Sequence, residues 1–564
     1  MIAVYVDKEV KKYKNEIKFS LDFIFNTLGY EYKFIKHPGQ LGDYDILIFY
    51  SNNTPSINEA EYLAYDKIML TLPIDKKLID TGKLTKNEIV EFTRKINFVK
   101  KIPVIAETEF ENPIEYFTTK HLNYIIFNFD FIGNIYFHLS HYEDITNYFF
   151  KNQRIIQDSN SSFLQYCNYP FVNALLFIFE NTIIEQVEKQ KSFTLVKKEL
   201  WPEAQNYSVA IAHTVDSLQK WNFAKLCKSF LDDLLVFYKF KYVWNNFWSK
   251  LKYILTNIEE YWNFSIIREI EEVHNITSTF FWGKNLKNEK VYDYRMSDED
   301  IREEILIQLK NNYDVGILAY QKKSINNALK KQKKELEKIL KQQVWGVLNK
   351  DFYYELLKTP ELYTQQFVYD STLSLKEFNG FKSGIAYPYY NLYYRTKEND
   401  DKLEVSRSSC LELPLGLKSN HFIYSKFNNM VQSEALKEVN DKIQAVKKFN
   451  GMLAVDFNIA GFAEIDYLEE IYEFMLKKIK RDNAYVGNMF EIASWWNKRN
   501  SVKIRYMKNG VMLQFPERFE HFTVSLYGSK NIKKIYNSKY KINNEKIHFQ
   551  NIIKDSNIII QFDT

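Results

Sequence analysis

The stretch Ser208–Asp216 reads SVAIAHTVD, and it decides the fold that we expect for this chain. A short apolar run of strand length leads directly into His213, Thr214 and Asp216. In (β/α) barrels the functional side chains lie at the carboxyl ends of parallel strands. We therefore predict that polar side chains cluster where this strand ends.

The segments that follow Asp216 alternate between helix and strand patterns. A long helical stretch covers Asn222–Val273, and a strand-like segment, TSTFFW, follows at 277–282. The alternation continues to about Arg499. This repetition predicts a parallel sheet or a barrel over residues 201–500.

The residues before this region carry an α/β pattern of their own. Strand-like segments at Ile2–Val6 and Tyr44–Tyr50 flank an amphipathic helix at Lys8–Leu28. The Trp201-Pro202 step marks the end of this part, because proline fixes φ and disfavours a helix before it. We predict a separate N-terminal α/β domain over residues 1–200.

The pattern changes again after Ser501. Short strand-like segments at Val502–Met507, Val511–Phe515 and Ile558–Phe562 are joined by Asn, Lys and Gly turns. Such spacing is typical of a small antiparallel β module, which we predict over residues 501–564.

Composition excludes several classes of protein. The 76 basic and 71 acidic residues leave a net charge of only +5, so the surface lacks the basic stripe that nucleic acid requires. No run of about 18 apolar residues indicates a membrane span, and the first seven residues are too short for a signal peptide. Cys167, Cys227 and Cys410 lie far apart without metal-ligand spacing. We expect a cytoplasmic protein.

Eight motifs occur in a characteristic order. They are DFIGNIYFHLSHYED (130–144), YPFVN (169–173), WPEAQNYSVAIAHTVDS (201–217), ITSTFFW (276–282), VYDSTLSLKEFNGFKSGIAYPYYNLYY (368–394), CLELPLGL (410–417), NGMLAVDFN (450–458) and FEIASWWNKR (490–499). In this order they resemble the polysaccharide deacetylases of carbohydrate esterase family 4, in the bacterial subgroup where an uncharacterised α/β domain precedes the barrel. The resemblance implies an α/β protein with a distorted (β/α)7-type deacetylase-like barrel over residues 201–500.

In that family one aspartate and two histidines hold a divalent metal, and a preceding aspartate is the general base for the metal-bound water. Asp216 matches the ligand aspartate, whereas the base position holds Thr214. The two histidine positions hold Leu318 and Asn458, and Trp345 stands in place of the arginine that orients the base. The resemblance thus implies a degenerate catalytic site, at which we expect no cofactor.

Some side chains could still form a metal site. His213 and Asp216 could hold an ion if His274 or His421 moved in, although such a pair at a strand end is more often a hydrogen-bonded structural pair. If the protein is a hydrolase with relocated ligands of this kind, it requires a divalent metal as its cofactor.

Further side chains are candidates for binding a ligand. Asp370 could be an acid or a turn cap, Lys382 stands where arginine is usual, and Tyr389 follows in the same motif. His138 and His141 have a spacing that could hold zinc, but the family pattern there is a structural helix. Aromatic residues that could line a glycan groove or simply pack in the barrel are Trp345, Tyr387, Tyr389, Tyr390, Tyr393 and Tyr394.

We therefore expect a catalytically degenerate, polysaccharide deacetylase-like protein with a glycan-binding or scaffolding role in surface polysaccharide or cell-envelope metabolism. Its partner would be a carbohydrate or a glycan-modifying protein, and its oligomeric state stays open. One alternative is an active metal-dependent deacetylase or other hydrolase with relocated ligands. Another is a structural or assembly protein that uses the barrel as a spacer.

Overall fold

The computed structural model describes most of the chain. The described ranges are 1–36, 44–80, 89–92, 101–107, 109–151, 155–156, 158, 161–235, 240–256, 258–285, 290–320, 325–397, 400–425, 428–529 and 531–563. Among the helices of these ranges, none combines the length and the apolar character that crossing a membrane would require.

The part before Trp201 contains an α/β sheet domain. Its elements are β1 (Ile2–Val6), α1 (Lys14–Leu28), β2 (Tyr32–Ile35), β3 (Ile46–Tyr50), α2 (Ile57–Leu63), β4 (Lys67–Leu72), β5 (Ile89–Phe92), β6 (Ile102–Ile105), β7 (Ile114–Thr118), β8 (Leu122–Phe127), α3 (Phe131–Leu139), α4 (Tyr142–Lys151) and α5 (Phe171–Gln190). The strand β9 (Thr194–Lys198) follows them and precedes the barrel. The sheet has the order β2-β1-β3-β4-β8-β7, and β7 is its antiparallel strand. Every residue of β3 is buried, as expected for a strand covered on both faces. The predicted N-terminal α/β fold is confirmed.

The middle part of the chain forms the predicted barrel. Its elements are β10 (Ser208–Val215), α6 (Phe223–Leu235), α7 (Phe240–Thr256), α8 (Phe264–His274), β11 (Thr279–Gly283), α9 (Glu299–Lys310), β12 (Asp314–Ala319), α10 (Ile325–Leu340), β13 (Gly346–Asn349), α11 (Thr359–Thr364), β14 (Tyr369–Asp370), β15 (Tyr389–Lys397), β16 (Asp400–Glu412), β17 (Leu415–Lys418), β18 (Ile423–Ser425), β19 (Asn428–Asn429), α12 (Gln432–Lys448), β20 (Met452–Asp456), α13 (Gly461–Glu464), α14 (Leu468–Arg481), β21 (Tyr485–Asn488) and α15 (Met489–Ser501).

The parallel strands curl into a ring. Their order is β14-β13-β12-β11-β10-β20-β17, and β14 also pairs with β16. Only Leu413 and Pro414 separate β16 from β17, so one continuous segment pairs with β14 at one end and with β20 at the other. With β16 and β17 counted as one segment, and β21, which pairs with the start of β10, set apart, the described residues form a ring of seven strands. This confirms the (β/α)7-type fold.

The last part forms a β module. Its strands are β22 (Lys503–Met507), β23 (Gly510–Phe515), β24 (Phe519–Gly528), β25 (Ile532–Tyr536), β26 (Lys539–Asn543), β27 (Lys546–Ile552) and β28 (Ser556–Phe562). They form two antiparallel sheets, β22-β23-β28-β25 and β26-β27-β24-β9. One apolar core, with Leu513 and Ile560 from the first sheet and Phe522 and Phe549 from the second, joins the two sheets. The predicted antiparallel β module is confirmed.

The strand β9 differs from the predicted division of the chain. It lies within residues 1–200, yet it pairs with β24 along the register Lys198↔Val524 to Thr194↔Gly528. The second sheet of the β module therefore needs a strand from before the barrel.

Arg499, near the end of α15, ties the three parts together. Its fully buried guanidinium donates hydrogen bonds to the carbonyls of Asn26, Thr27, Lys198 and Glu199. These acceptors belong to the end of α1 and to β9 with the residue after it, so one side chain links the N-terminal domain and the β module to the barrel.

Candidate functional site

The carboxyl ends of the barrel strands bring together residues that are far apart in the chain. Asp216 follows β10, Lys350 follows β13, and Asn458 lies two residues beyond β20. Leu318 is the last residue but one of β12. We call this rim, with Thr214 near the end of β10, the barrel mouth. It is the rim at which (β/α) barrels carry their sites.

Thr214, in the position of the general base, is bound to Asp456 on the neighbouring strand β20. The Asp456 carboxylate accepts hydrogen bonds from the backbone N–H and from the hydroxyl of Thr214, both at 2.9 Å. Burial raises the pKa of Asp456 to about 6, against the effect of these two hydrogen bonds. The threonine hydroxyl is therefore a donor within the protein, and it has no pKa that would let it take a proton from water.

Asn458 bridges Thr214 and Asp216. Its Nδ2 donates to Thr214 Oγ1 at 3.0 Å and to Asp216 Oδ1 at 2.9 Å. Its Oδ1 accepts from the backbone N–H of Ala460 at 2.9 Å. The amide thus turns its N–H donors, and not its oxygen, towards the Asp216 carboxylate.

Lys350 faces Asp216 from another strand. Its Nζ lies 3.7 Å from Asp216 Oδ2 and 5.2 Å from the centroid of the Tyr292 ring. The side chains of Lys350 and Asp216 are 19% and 31% exposed, so both reach solvent at the mouth. A partly exposed pair of this kind contributes little to stability, and both groups can exchange partners with a ligand.

The residues of the mouth do not fit the divalent metal that the family resemblance implies. The buried Leu318 side chain offers no lone pair, and its carbonyl accepts a hydrogen bond from the Tyr292 hydroxyl at 2.8 Å. The Asp216 carboxylate already faces two groups that carry N–H donors, Asn458 and Lys350. In the part of the chain that the structure describes, no three His, Cys, Asp or Glu side chains are grouped so that they could hold a metal ion.

Lys418, a buried lysine at the end of β17, also belongs to the mouth. Its Nζ donates to Ser374 Oγ at 2.8 Å and to the carbonyl of Leu375. Burial lowers its pKa to about 7, and the charges of Asp158 and Asp456 oppose that shift. Near neutral pH this amine is therefore divided between its charged and neutral forms.

Trp345 does not lie at the mouth, so its predicted place in the site is wrong. It precedes β13, at the amino end of the strand, whereas the mouth is formed by carboxyl ends. Its ring stacks on Phe490 at a centroid distance of 5.6 Å. The position that faces Asp216 is taken by Lys350, which follows the strand.

His213 points away from the mouth, because successive side chains of a strand face opposite sides. Its Nδ1 donates to the carbonyl of Phe457 at 2.7 Å, and its Nε2 lies 3.0 Å from a carboxylate oxygen of Glu271 on α8. The structure therefore does not bring His213 and Asp216 together, and His213 is a structural side chain.

The two other histidines proposed as mobile ligands lie at the end of α8 and just after β17. His274 ends α8, and its carbonyl accepts from Lys480 on α14 at 3.5 Å. His421 follows β17 near Lys418, and burial lowers its pKa to about 4. At neutral pH the His421 imidazole is uncharged.

Lys382 and Tyr389 are buried against the N-terminal domain and are not brought into the mouth. Lys382 Nζ lies 3.4 Å from Asp158 and 3.8 Å from Asp144 of α4. Although burial lowers the pKa of Lys382, these carboxylates raise it above its usual value. The Tyr389 hydroxyl lies 3.3 Å from Nε2 of His141.

His138 and His141 both belong to this domain contact. The His138 ring packs edge-on against Phe163 and Phe171, at centroid distances of 4.6 and 4.9 Å. Burial lowers the pKa of each histidine to about 3, so both are neutral. Their surroundings agree with a structural role.

Asp370 of β14 is buried beside Glu412 of the neighbouring strand β16. The Asp370 carboxylate accepts from the backbone N–H of Thr372 at 3.0 Å, as a turn cap does. Glu412 accepts from the Leu373 N–H and the Asn391 amide, both at 3.0 Å. Burial raises the pKa of Asp370 to about 7 and that of Glu412 well above its usual range, so the pair holds a proton at neutral pH.

Three mouth residues, Lys350, Lys418 and Asp456, were not identified from the sequence. Asp456 stands two positions before Asn458, and strand alternation puts both on one face, which could have indicated it. Lys350 lies just after a short strand, and Lys418 lies at the end of one. Their positions at the barrel mouth are evident only from the pairing of the strands in the structure.

Comparison with known proteins gives matches among solved structures. No family model matches the chain, and neither does any curated protein. A protein from Mycobacterium smegmatis assigned as a polysaccharide deacetylase has 15% identity and a TM-score of 0.35, over 53% of this chain and 92% of that one.

Two further matches are the carbohydrate deacetylase Agd3 and a CE4 family pseudoenzyme from Bacillus anthracis. Agd3 has 8% identity and a TM-score of 0.38, over 100% of this chain and 98% of its own. The pseudoenzyme has 12% identity and a TM-score of 0.24, over 52% of this chain and 66% of its own. The solved structures that this chain matches thus include polysaccharide deacetylases and CE4 pseudoenzymes, the class that its motifs resemble.

Proposed function

We propose that this chain is a catalytically degenerate relative of the polysaccharide deacetylases, and that its barrel mouth binds carbohydrate without hydrolysing it. The observation that carries the proposal is the closed set of contacts among Thr214, Asp456, Asn458, Asp216 and Lys350. Thr214, Asp216 and Asn458, which stand in former catalytic positions, each make a polar contact with another side chain of the protein.

The chemistry of the mouth supports binding over hydrolysis. Hydrolysis of an acetamide needs an activated water, and neither Thr214 nor Leu318 can activate one. Asp216 and Lys350 are partly exposed and adjacent, so they offer a hydrogen-bond acceptor beside a donor. Neighbouring hydroxyls of a sugar ring are complementary to that arrangement.

The proposed setting is surface polysaccharide or cell-envelope metabolism in the cytoplasm of a bacterium. This setting rests on the motif resemblance and on the composition. The partner would be a glycan or a protein that modifies one.

The absence of hydrolysis is tested on purified protein incubated with Zn²⁺, Co²⁺ or Mn²⁺ and then desalted. We expect less than stoichiometric metal by elemental analysis, and no acetate released from N-acetylglucosamine oligomers. The wild type and an Asp216→Ala variant should be indistinguishable in both measurements. Bound metal together with acetate release that Asp216→Ala abolishes would establish the alternative, a hydrolase with relocated ligands.

Binding is tested by calorimetric titration with N-acetylglucosamine oligomers and with their deacetylated counterparts. We expect saturable binding of at least one series, weakened tenfold or more in Lys350→Met and in Asp216→Asn. Lys477→Met removes an exposed lysine of α14 with the same change of charge and is the matched control. If neither series binds, or if Lys350→Met binds as the wild type does, the proposed site is wrong.

A further inference from the structure

The helices α6 and α7 form a hairpin between β10 and α8 with a cluster of polar side chains at the seam between them. Asn246 of α7 donates to Ser229 Oγ at 3.1 Å and to Asp233 Oδ1 at 3.0 Å, both on α6. Lys250 forms an ion pair with Asp233. These four side chains are at most 9% exposed, so the seam between the two helices is polar.

The outer face of the same hairpin is aromatic. Trp244, Phe247 and Trp248 of α7 are 45 to 51% exposed and stand three and four positions apart, on one face of the helix. Their ring centroids lie 5.8 to 6.3 Å from one another. Phe230 and Leu255 are exposed as well.

Buried polar side chains together with exposed aromatic rings are the reverse of the distribution that an aqueous environment favours. A surface helix normally buries its apolar stripe and exposes its polar one. Single exposed apolar residues are common, but a contiguous group of large rings usually marks a surface that contacts something apolar.

The charged residues of the hairpin indicate the kind of apolar surface that it contacts. Within the bounds of α6 and α7 there are five lysines and two aspartates, in a chain whose net charge is only +5. Lys228 and Lys252 are exposed, and Lys252 follows Trp248 by one helical turn, whereas Lys250 is paired with Asp233 in the seam. Tryptophan and phenylalanine on one face combined with lysines are typical of helices that lie in the interface of anionic membranes.

Within the described residues, both helices are shorter than a membrane-spanning helix. α6 has 13 residues and α7 has 17, whereas a spanning helix needs about 20 apolar residues. We propose that the α6–α7 hairpin docks on the surface of an anionic lipid bilayer, with Trp244, Phe247 and Trp248 among the headgroups.

Docking in this way would also orient the barrel. The hairpin begins seven residues after Asp216, and Lys225 of α6 lies 3.3 Å from Asp293 Oδ2, which accepts from Ser217 at 2.5 Å. The barrel mouth therefore lies next to the hairpin, and docking would hold the mouth close to the membrane surface. This inference goes beyond the proposed function and does not depend on sugar binding.

The proposal is tested by flotation of the full chain with vesicles of phosphatidylglycerol and phosphatidylcholine, or of phosphatidylcholine alone. We expect binding to the anionic vesicles, at least tenfold less to the neutral ones, and release at high salt. Trp244→Ser/Phe247→Ser/Trp248→Ser should reduce binding to anionic vesicles tenfold or more. Lys228→Glu/Lys252→Glu, which leaves the rings in place, should also reduce it.

The matched control is Tyr62→Ser/Val431→Ser/Ile553→Ser, which removes three large exposed side chains elsewhere and should bind as the wild type does. Lack of binding of the wild type to anionic vesicles would overturn the proposal. So would a dimer that forms without lipid and dissociates in the aromatic triple variant, because a second copy would then be the occupant. Equal binding of the aromatic triple variant and the wild type would likewise overturn it.

Discussion

Asp370 and Glu412 place two buried carboxyl groups side by side on neighbouring strands, and this arrangement makes stability depend on pH. Burial raises the pKa of Asp370 to about 7, well above its value in the unfolded chain. The folded state therefore binds more protons than the unfolded state between about pH 4 and pH 7. By linkage, the free energy of unfolding falls as the pH rises through that window.

We expect Asp370→Asn to reduce this pH dependence and to leave the part that comes from the burial of Glu412. The asparagine Oδ1 can still accept from Thr372, and its Nδ2 can donate to Glu412 without any proton being taken up. The variant should be more stable than the wild type at pH 8, by roughly 1 to 3 kcal/mol. Urea unfolding between pH 4 and pH 8 measures the effect, with Asp555→Asn as an exposed control; parallel pH profiles for wild type and Asp370→Asn would contradict it.

Among the individual residues of the barrel mouth, some could be identified from the sequence and others could not. Thr214, Asp216, Leu318 and Asn458 could be placed because each lies at or just beyond the end of a recognisable strand. Trp345 was misplaced because β13 has four residues, so a shift of a few positions moves a side chain from one rim to the other. Lys350 and Lys418 could not be found because their roles depend on which strands are neighbours.

Among the elements, α15 depends on a cap that can be tested. Asn488 Oδ1 accepts from the Glu491 N–H at 2.9 Å, and Glu491 Oε2 accepts from the Asn488 N–H at 3.1 Å. This reciprocal capping box begins the helix that carries Arg499. We expect Asn488→Ala to lower the free energy of unfolding by about 1 kcal/mol and Asn488→Ser to retain most of it. Equal denaturation midpoints for the alanine variant and the wild type would show that the box contributes nothing.

Strand positions were easier to predict than helix boundaries. The strand expected at 277–282 is found at Thr279–Gly283, and the first strand is found as expected. The helical stretch Asn222–Val273 instead contains the three helices α6, α7 and α8. It holds no glycine or proline, the residues that usually mark a break between helices, so its division could not be predicted. The closure of the ring through β16 and β17 also could not be predicted from the sequence, because it depends on pairing between distant segments.

For the whole molecule, Arg499 is the side chain whose loss should matter most for the union of the three parts. Arg499→Met keeps much of the buried volume but leaves four carbonyls without their donor. We expect the free energy of unfolding to fall by about 2 to 4 kcal/mol. Hydrogen exchange should rise at the end of α1 and in β9, where those carbonyls lie.

Arg518→Met, which removes an exposed arginine of the β module, is the matched control and should leave both measurements unchanged. Unchanged exchange in α1 and β9 of Arg499→Met would show that the three parts are held together without this side chain.

The pairing of β9 with β24 has a consequence for synthesis on the ribosome. Glu199, just after β9, and Ser525, its hydrogen-bond partner in β24, are 326 positions apart. At about 5 to 20 residues per second, the partner strand follows roughly 20 to 60 s after β9 has been made. During that time the barrel can form while β9 exposes an unpaired edge, the kind of surface on which nascent chains aggregate. A chaperone that binds extended segments would therefore find its substrate in this chain between the synthesis of β9 and that of β24.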